Sequence, residues 1–458
     1  MKSLNKFCLL LSILLALGLS FGACSGDDAD PGTDGGTDAG LEDGAAGTDE
    51  NVVVDDELSW LAPTYLDTTE ETVGSVALAV HAGGEYEAAW NESQADGDEL
   101  IMGRSYDGTD WNNPVAITLP VFSCDEPVVG FGSGGRAVLL YVQAGVGGMS
   151  VFGNSSDGQD AWGEVVELQS EPNRIPGALD MGGPVGVWNL GGTGGVDVWS
   201  VAHAGANWTT AVLVGASSMD GDHPRVAANN GGDGMAVWST GTEIWAAKVN
   251  NGDQWDTPVA IQTGSVEVMD AEVAVDTDGN AVAVWRWAGS GSYYIKAATY
   301  TPEGGWGESE RISTGGRAAG SEPVVAMDAS GRAMVAWDEN DGGSRWIFAS
   351  RFIPGSGWSS PYSISREAKD ANDPAISMNS NGKVVVVWEQ EVGDTVDVWS
   401  ARYLPEPGGW MPAEPIYTDD GWDAHTPKVA LDEAGQGVAV WNVNGPETTF
   451  GVMAAALQ

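Results

Sequence analysis

Cysteine is almost missing: Cys8, Cys24 and Cys124 are the only three in 458 residues. Cys8 lies inside an N-terminal leader and Cys24 sits at its end, so the folded body keeps Cys124 alone, and neither a disulfide framework nor a zinc cluster can form. A lone thiol in a strand-rich body is expected to be buried and inert. Basic residues are scarce too. Lys and Arg number 19 against 66 Asp and Glu, a formal charge of −47. Nucleic acid and anionic membrane surfaces need clustered Lys and Arg, so neither is expected as a main partner. The four histidines, His81, His203, His223 and His425, have no Gly-x-Ser-x-Gly partner for a nucleophilic triad. No phosphate loop or dinucleotide fingerprint occurs.

What is present is glycine, at 65 residues, and tryptophan, at 21. Much of the apolar content is Val, Ala and Trp in short runs, which suits strands better than helices. The chain opens with Lys2 and Lys6, an apolar run from Phe7 to Phe21, and small residues before Cys24. That run is short for a membrane span of about 20 residues and reads as an export signal over residues 1–23. Phe21-Gly22-Ala23-Cys24 resembles the lipobox of bacterial lipoproteins, with Phe21 where Leu is usual. The resemblance implies lipidation of Cys24 after cleavage; an ordinary secretory signal is the alternative. Ser25 in place of an Asp implies an outer-membrane or cell-surface location. Residues 24–57, rich in Asp, Gly, Ala and Thr, have little to bury and are expected to be an acidic spacer.

From residue 58 onward the chain repeats. Eight short apolar runs end in an aromatic at Trp90, Tyr141, Trp188, Trp238, Trp285, Trp337, Trp388 and Trp441, spaced 47 to 53 residues apart. Before each lies a strand and a tight turn, as in PVVAMDASGRAMVAW and PAISMNSNGKVVVVW. After each come a loop, a third strand such as VDVWSARY, and a fourth that begins at a Trp, as in GWSSPYSIS. Four short antiparallel strands per unit predict an all-β fold, an eight-bladed β-propeller over 58–458, with seven blades the alternative. The last unit stops one strand short, and Ser59–Thr68 looks like an unattached fourth strand. Joining the two would close the ring and leave no open edge across it.

Ser105-Tyr106-Asp107-Gly108-Thr109-Asp110-Trp111 and Ser156-Asp157-Gly158-Gln159-Asp160-Ala161-Trp162 resemble eroded copies of the Asp-box (Ser/Thr-x-Asp-x-Gly-x-x-Trp) of sialidase-like propellers. In that family the motif folds a hairpin away from the active face. The family's catalyst is an arginine triad, a Tyr–Glu pair and an Asp. Asn173-Arg174-Ile175-Pro176 resembles its opening arginine motif but falls in the third unit. Arg286, Arg317 and Arg366 could reach the loop face, yet no Tyr–Glu pair accompanies them.

Nineteen tryptophans follow the repeat and are expected to pack between blades. Trp287 and Trp422 do not, and are expected in loops on the ligand face. With Arg286 and Glu389 they form the candidate ligand-binding set; no catalytic residue is assigned. Asn91, Glu92, Asp338, Glu339, Asp341, Glu389, Glu391 and Asn442 follow second-strand aromatics, and Asp222, Asp373 and Asp423 come just before new blades. They could ring a cation, Ca²⁺ being the one cofactor considered, or simply solvate loops. Asp276-Thr277-Asp278-Gly279-Asn280 matches part of a calcium loop, but its place in the repeat favours a hairpin turn. The expected protein is a monomeric, lipid-anchored, non-catalytic propeller that binds a glycan or a surface protein. A divergent sialidase-like glycoside hydrolase and a structural envelope protein are the alternatives.

Overall fold

A computed structural model describes residues 58–458, apart from 68–71, 95–96, 120–123, 133, 146–147, 157–160, 217–219, 290, 315–317, 366–369, 407, 419–420 and 446–449. The leader, Cys24 and the acidic spacer lie outside the described residues. Strands form eight antiparallel sheets of one plan. In blade 7, for example, Ala371–Met378, Val384–Val392 and Thr395–Leu404 pair in sequence, and Glu414–Tyr417 adds the outer strand. The first strands of successive blades touch around a complete cycle, that of blade 8 (Asp423–Leu431) meeting that of blade 1 (Val73–Val80). Eight blades therefore close the ring, and the seven-blade alternative falls.

Closure is made as the sequence foretold. Thr64–Tyr65 pairs with the chain's last strand, Phe450–Leu457, and Trp60 bridges to Leu457. Ser59 N donates to the Gln458 carbonyl at 2.8 Å, and Gln458 N returns a bond to Ser59 at 3.1 Å.

Each second strand is covered on both faces by neighbouring blades, which is why it reads as an unbroken apolar run such as VVVVW rather than an alternation. Eight separate cores result, one in each gap between blades. Every core holds one second-strand aromatic with no exposed surface and one half-buried fourth-strand Trp, such as Trp388 with Trp410. Burial of rings this large dominates the packing energy of each gap. Cys124 is buried between blades 1 and 2, its thiol donating to the Glu99 carbonyl at 3.1 Å.

The fourth strand differs from the sequence expectation in being broken. In blade 3 the Trp-led pair Asn207–Trp208 and the later Val212–Gly215 both pair with the third strand. In blades 1, 5, 6 and 8 the outer segment is only two residues long: Val115–Ala116, Glu310–Arg311, Tyr362–Ser363 and Thr64–Tyr65.

Candidate functional site at the channel mouth

Strands alternate in direction, so the crossings into each new blade and the loops joining second to third strands share one face. The tight turns joining first to second strands lie on the other. Those turns are held by their own side chains. Asp276 Oδ1 accepts the N–H groups of Asp278 and Asn280 at 2.9 and 2.8 Å, and Asp328 and Asn379 do the same in the next two blades. The hairpin reading of Asp276–Asn280 thus holds.

On the crossing face the first strand is irregular. Its register shifts in blades 1, 2, 3, 4, 5, 7 and 8. At this bulge five non-glycine residues take the left-handed conformation: Glu126, His223, Asp270, Asp373 and Thr426, with φ between 44 and 55°. Such residues persist only where the surroundings over-determine them, and they gather at functional sites. Where the repeat has glycine instead, an amide presses on it. A Cβ added to Gly177 would lie 2.4 Å from Asn189 Oδ1, and one at Gly74 2.3 Å from Asn91 Oδ1.

Inside this rim the first strands of all eight blades line a cavity of about 480 Å³. Its charged residues are Asp180, Glu272, Glu322, Asp373, Arg225 and Lys428. Arg225 of blade 4 bridges its neighbours, with Nε 3.3 Å from Glu272 of blade 5 and Nη2 3.3 Å from Glu322 of blade 6. Burial pushes the Glu272 carboxyl up to about 8 against the pull of Arg225, with Asp180 and Glu322 adding to the rise. A quarter of the Glu272 side chain still meets the channel (26% exposed), so water can reach it. Asp180 is raised for the same first reason, burial, and accepts the Val226 N–H at 2.7 Å.

Glu389, from the second strand of blade 7, reaches the bulge of blade 8. It accepts the Thr426 N–H at 2.8 Å and lies 3.2 Å from His425 Nδ1. That hydrogen bond raises the His425 pKa above its ordinary value, against burial. Asp373 next to it is raised, by burial first and then by the charges of Glu389 and Asp338. Arg286 ties blade 5 to blade 6: Nε pairs with Asp270 of its own blade, Nη1 donates to the Gly320 carbonyl of the next at 2.5 Å, and the guanidinium lies 5.2 Å from the Tyr293 ring.

Trp287 lies in the strand Ala281–Gly289, not in a loop. It packs on the core between blades 4 and 5, its ring 6.1 Å from Tyr294 and 4.8 Å from Lys296 Nζ. Trp422, beside the first strand of blade 8, packs on the core between blades 7 and 8. The structure therefore leaves two separate pairs on blade 5, Arg286 with Tyr293 on the side of blade 6 and Trp287 with Tyr294 on the side of blade 4, and brings Glu389 together with His425 and Asp373 at another part of the rim. Of these, Asp373 belongs to the acids expected just before new blades, whereas His425 and the other bulge residues were not singled out; the Pro that follows Glu126, His223, Asp373 and Thr426 was their signal, and Asp270 has none.

Some of the acidic set does not solvate loops. Glu92 and Glu339 are buried, and each accepts the indole N–H two residues before it, Trp337 to Glu339 at 2.9 Å and Trp90 to Glu92 at 3.4 Å. Arg174 pairs with Asp197 and donates to the Leu190 carbonyl within its own blade. Arg317 and Arg366 lie outside the described residues. Among the described residues no group of three or more His, Cys, Asp or Glu side chains is arranged to hold a metal ion.

No family model and no curated protein matches the chain. Many solved structures share its architecture. The propeller of Dos1 is similar over 87% of this chain and 95% of that one, with TM-score 0.51 and 8% identity. A polysaccharide lyase of family PL25, an ulvan lyase, is similar over 86% and 95%, with TM-score 0.50 and 11% identity. The Hadza microbial sialidase Hz136 covers 82% of this chain and 74% of its own, with TM-score 0.38 and 12% identity. At such identities the likeness is one of fold.

Proposed function

We propose that this is an exported propeller, anchored through a lipid on Cys24 at the outer membrane or cell surface, that binds a glycan over the channel mouth. The observation that carries the reading is the rim itself. Five polar residues are held in left-handed conformation around one opening, and aromatic rings stand on both faces of blade 5, Trp287 with Tyr294 on one and Tyr293 on the other. Sugar rings stack on aromatic faces, and their hydroxyls suit carboxylates and amides held in fixed positions. The arrangement favours recognition because Arg286 and Glu389 are committed to bracing neighbouring backbone, which makes the rim rigid. The ulvan lyase uses this fold on a polysaccharide, which makes polysaccharides the first ligands to try.

The test is an array of neutral and acidic glycans and surface proteins probed with the full chain. A glycan class should be retained, and Asp373→Asn and Tyr294→Ala should each weaken it at least tenfold without changing the melting temperature by more than a few degrees. A blank glycan array with folded protein overturns the reading, and retention on surface proteins alone replaces the glycan by a protein partner. Replacing Cys24 by Ala should release the chain from membranes.

A second reading, glycoside processing, draws on the Glu389–His425 pair beside Asp373, where a proton donor and a carboxyl of raised pKa share one wall. Turnover of a fluorogenic glycoside panel, lost in His425→Gln, would favour it.

A further inference from the structure

The repeat breaks its own rule between blades 1 and 2, on the face opposite the channel mouth. Three residues before the second-strand aromatic, seven blades place Val138, Val185, Met235, Val282, Met334, Val385 or Val438, all buried. Blade 1 places Glu87 there, and it is only 4% exposed.

Two further substitutions open a space beside it. Opposite the fourth-strand Trp the third strands carry Tyr106, His203, Val249, Tyr300, Phe352, Tyr403 and Leu457, but blade 2 carries Ser156. One residue earlier, blade 6 has Arg351 where blade 1 has Ser105. Between blades 6 and 7 these positions are filled: Arg351 Nη1 donates to Tyr403 Oη at 2.7 Å, with the guanidinium 5.2 Å from the ring centre. Between blades 1 and 2 the two serines leave a cavity of about 300 Å³.

Ser105 Oγ donates to Glu87 Oε2 at 2.7 Å on its wall. Glu85, Asp107 and Asp110 add carboxylates and Phe131 adds a ring, while the Trp111 ring turns to the core between blades 8 and 1. Among the described residues lining it there is no Lys, Arg or His. Arg136, adjacent in sequence, donates to the Ser156 carbonyl at 3.0 Å and lines the neighbouring groove.

We infer that this cavity binds a small organic cation, an alkylammonium or alkylguanidinium group, with Glu87 as counter-ion and Phe131 as its aromatic wall. The site takes from solution what the gap between blades 6 and 7 supplies from its own chain. Carboxylates and ring faces attract a compact cation, and a neutral chain of equal length gains only the apolar contact.

The test is calorimetric titration of the full chain with n-butylammonium and n-propylguanidinium chloride, with n-butanol as the neutral control. Saturable one-to-one binding of either cation is expected, with butanol at least tenfold weaker. Two variants separate charge from space. Glu87→Met restores the repeat's own residue, so it should fold with a melting temperature at or above that of the parent and lose binding at least tenfold. Ser156→Tyr fills the cavity and should lose it as well. Equal binding of butanol, or retention of cation binding in Ser156→Tyr, overturns the inference. Neither outcome touches the glycan reading, whose residues lie on the other face.

Discussion

Trp60, near the start of the folded body, donates its indole N–H to Ser400 Oγ of blade 7 at 2.9 Å and bridges to Leu457 of blade 8. One ring thus secures the join between the opening segment and two blades that end the chain. Trp60→Ala should cost about 3 kcal/mol, the low end for a large aromatic because Trp60 is only half-buried. Denaturant unfolding would measure it. A change below about 1 kcal/mol would mean that the seam is held elsewhere.

Glu339 has no exposed surface and accepts hydrogen bonds at 2.9 Å from both Trp337 Nε1 and Thr314 N. Glu339→Ala leaves these buried donors without an acceptor and should destabilise by about 1–3 kcal/mol for each. Glu339→Gln keeps an acceptor oxygen and should cost less, as chemical denaturation of the pair of variants would reveal.

Gly177 and Asn189 leave no room for a methyl group between them. Gly177→Ala is expected to cost about 1–3 kcal/mol through overpacking. Adding Asn189→Ala removes the opposing amide, so the double variant should recover part of the loss. A double-mutant cycle with no coupling would show that the clash relaxes elsewhere.

Glu272 sets a pH dependence. Its folded pKa, about 8, exceeds the unfolded value near 4.3. The folded state therefore holds the proton more tightly. The stability contributed by that proton is complete below about pH 4 and is lost as pH rises through 8. The parent should lose more melting temperature between pH 5 and pH 9 than Glu272→Gln, which has no proton to release. Parallel pH curves for the two would count against the channel network as described.

Much of the ring was legible because it rests on repetition. The aromatic ending each second strand, the Trp opening each fourth, and the unpaired Ser59–Thr68 all carry information that survives one-dimensional reading. The rim was harder. Glu126, His223, Asp270, Asp373 and Thr426 share a conformation rather than a residue type, so the Pro after four of them is the one mark of equivalence the sequence carries. Trp287 misled because its place outside the repeat suggested a loop, while a second strand longer than its neighbour in blade 4 simply carries it further. Glu92 and Glu339 misled for the opposite reason, since a carboxylate beside an indole reads as solvent-facing until the N–H is found to point at it. Glu87 was visible in YEAAW as the one acid among Val and Met, but its meaning needed the two distant serines.

The abbreviated outer strands have a consequence for crowding at a surface. In blades 1, 5, 6 and 8 a neighbouring molecule trying to extend a blade would find a two-residue template, interrupted from the Trp-led pairing before it. So short a stretch cannot seed a continuous intermolecular ladder. Copies brought side by side at high density are thereby kept from zippering into shared sheets through these four blades.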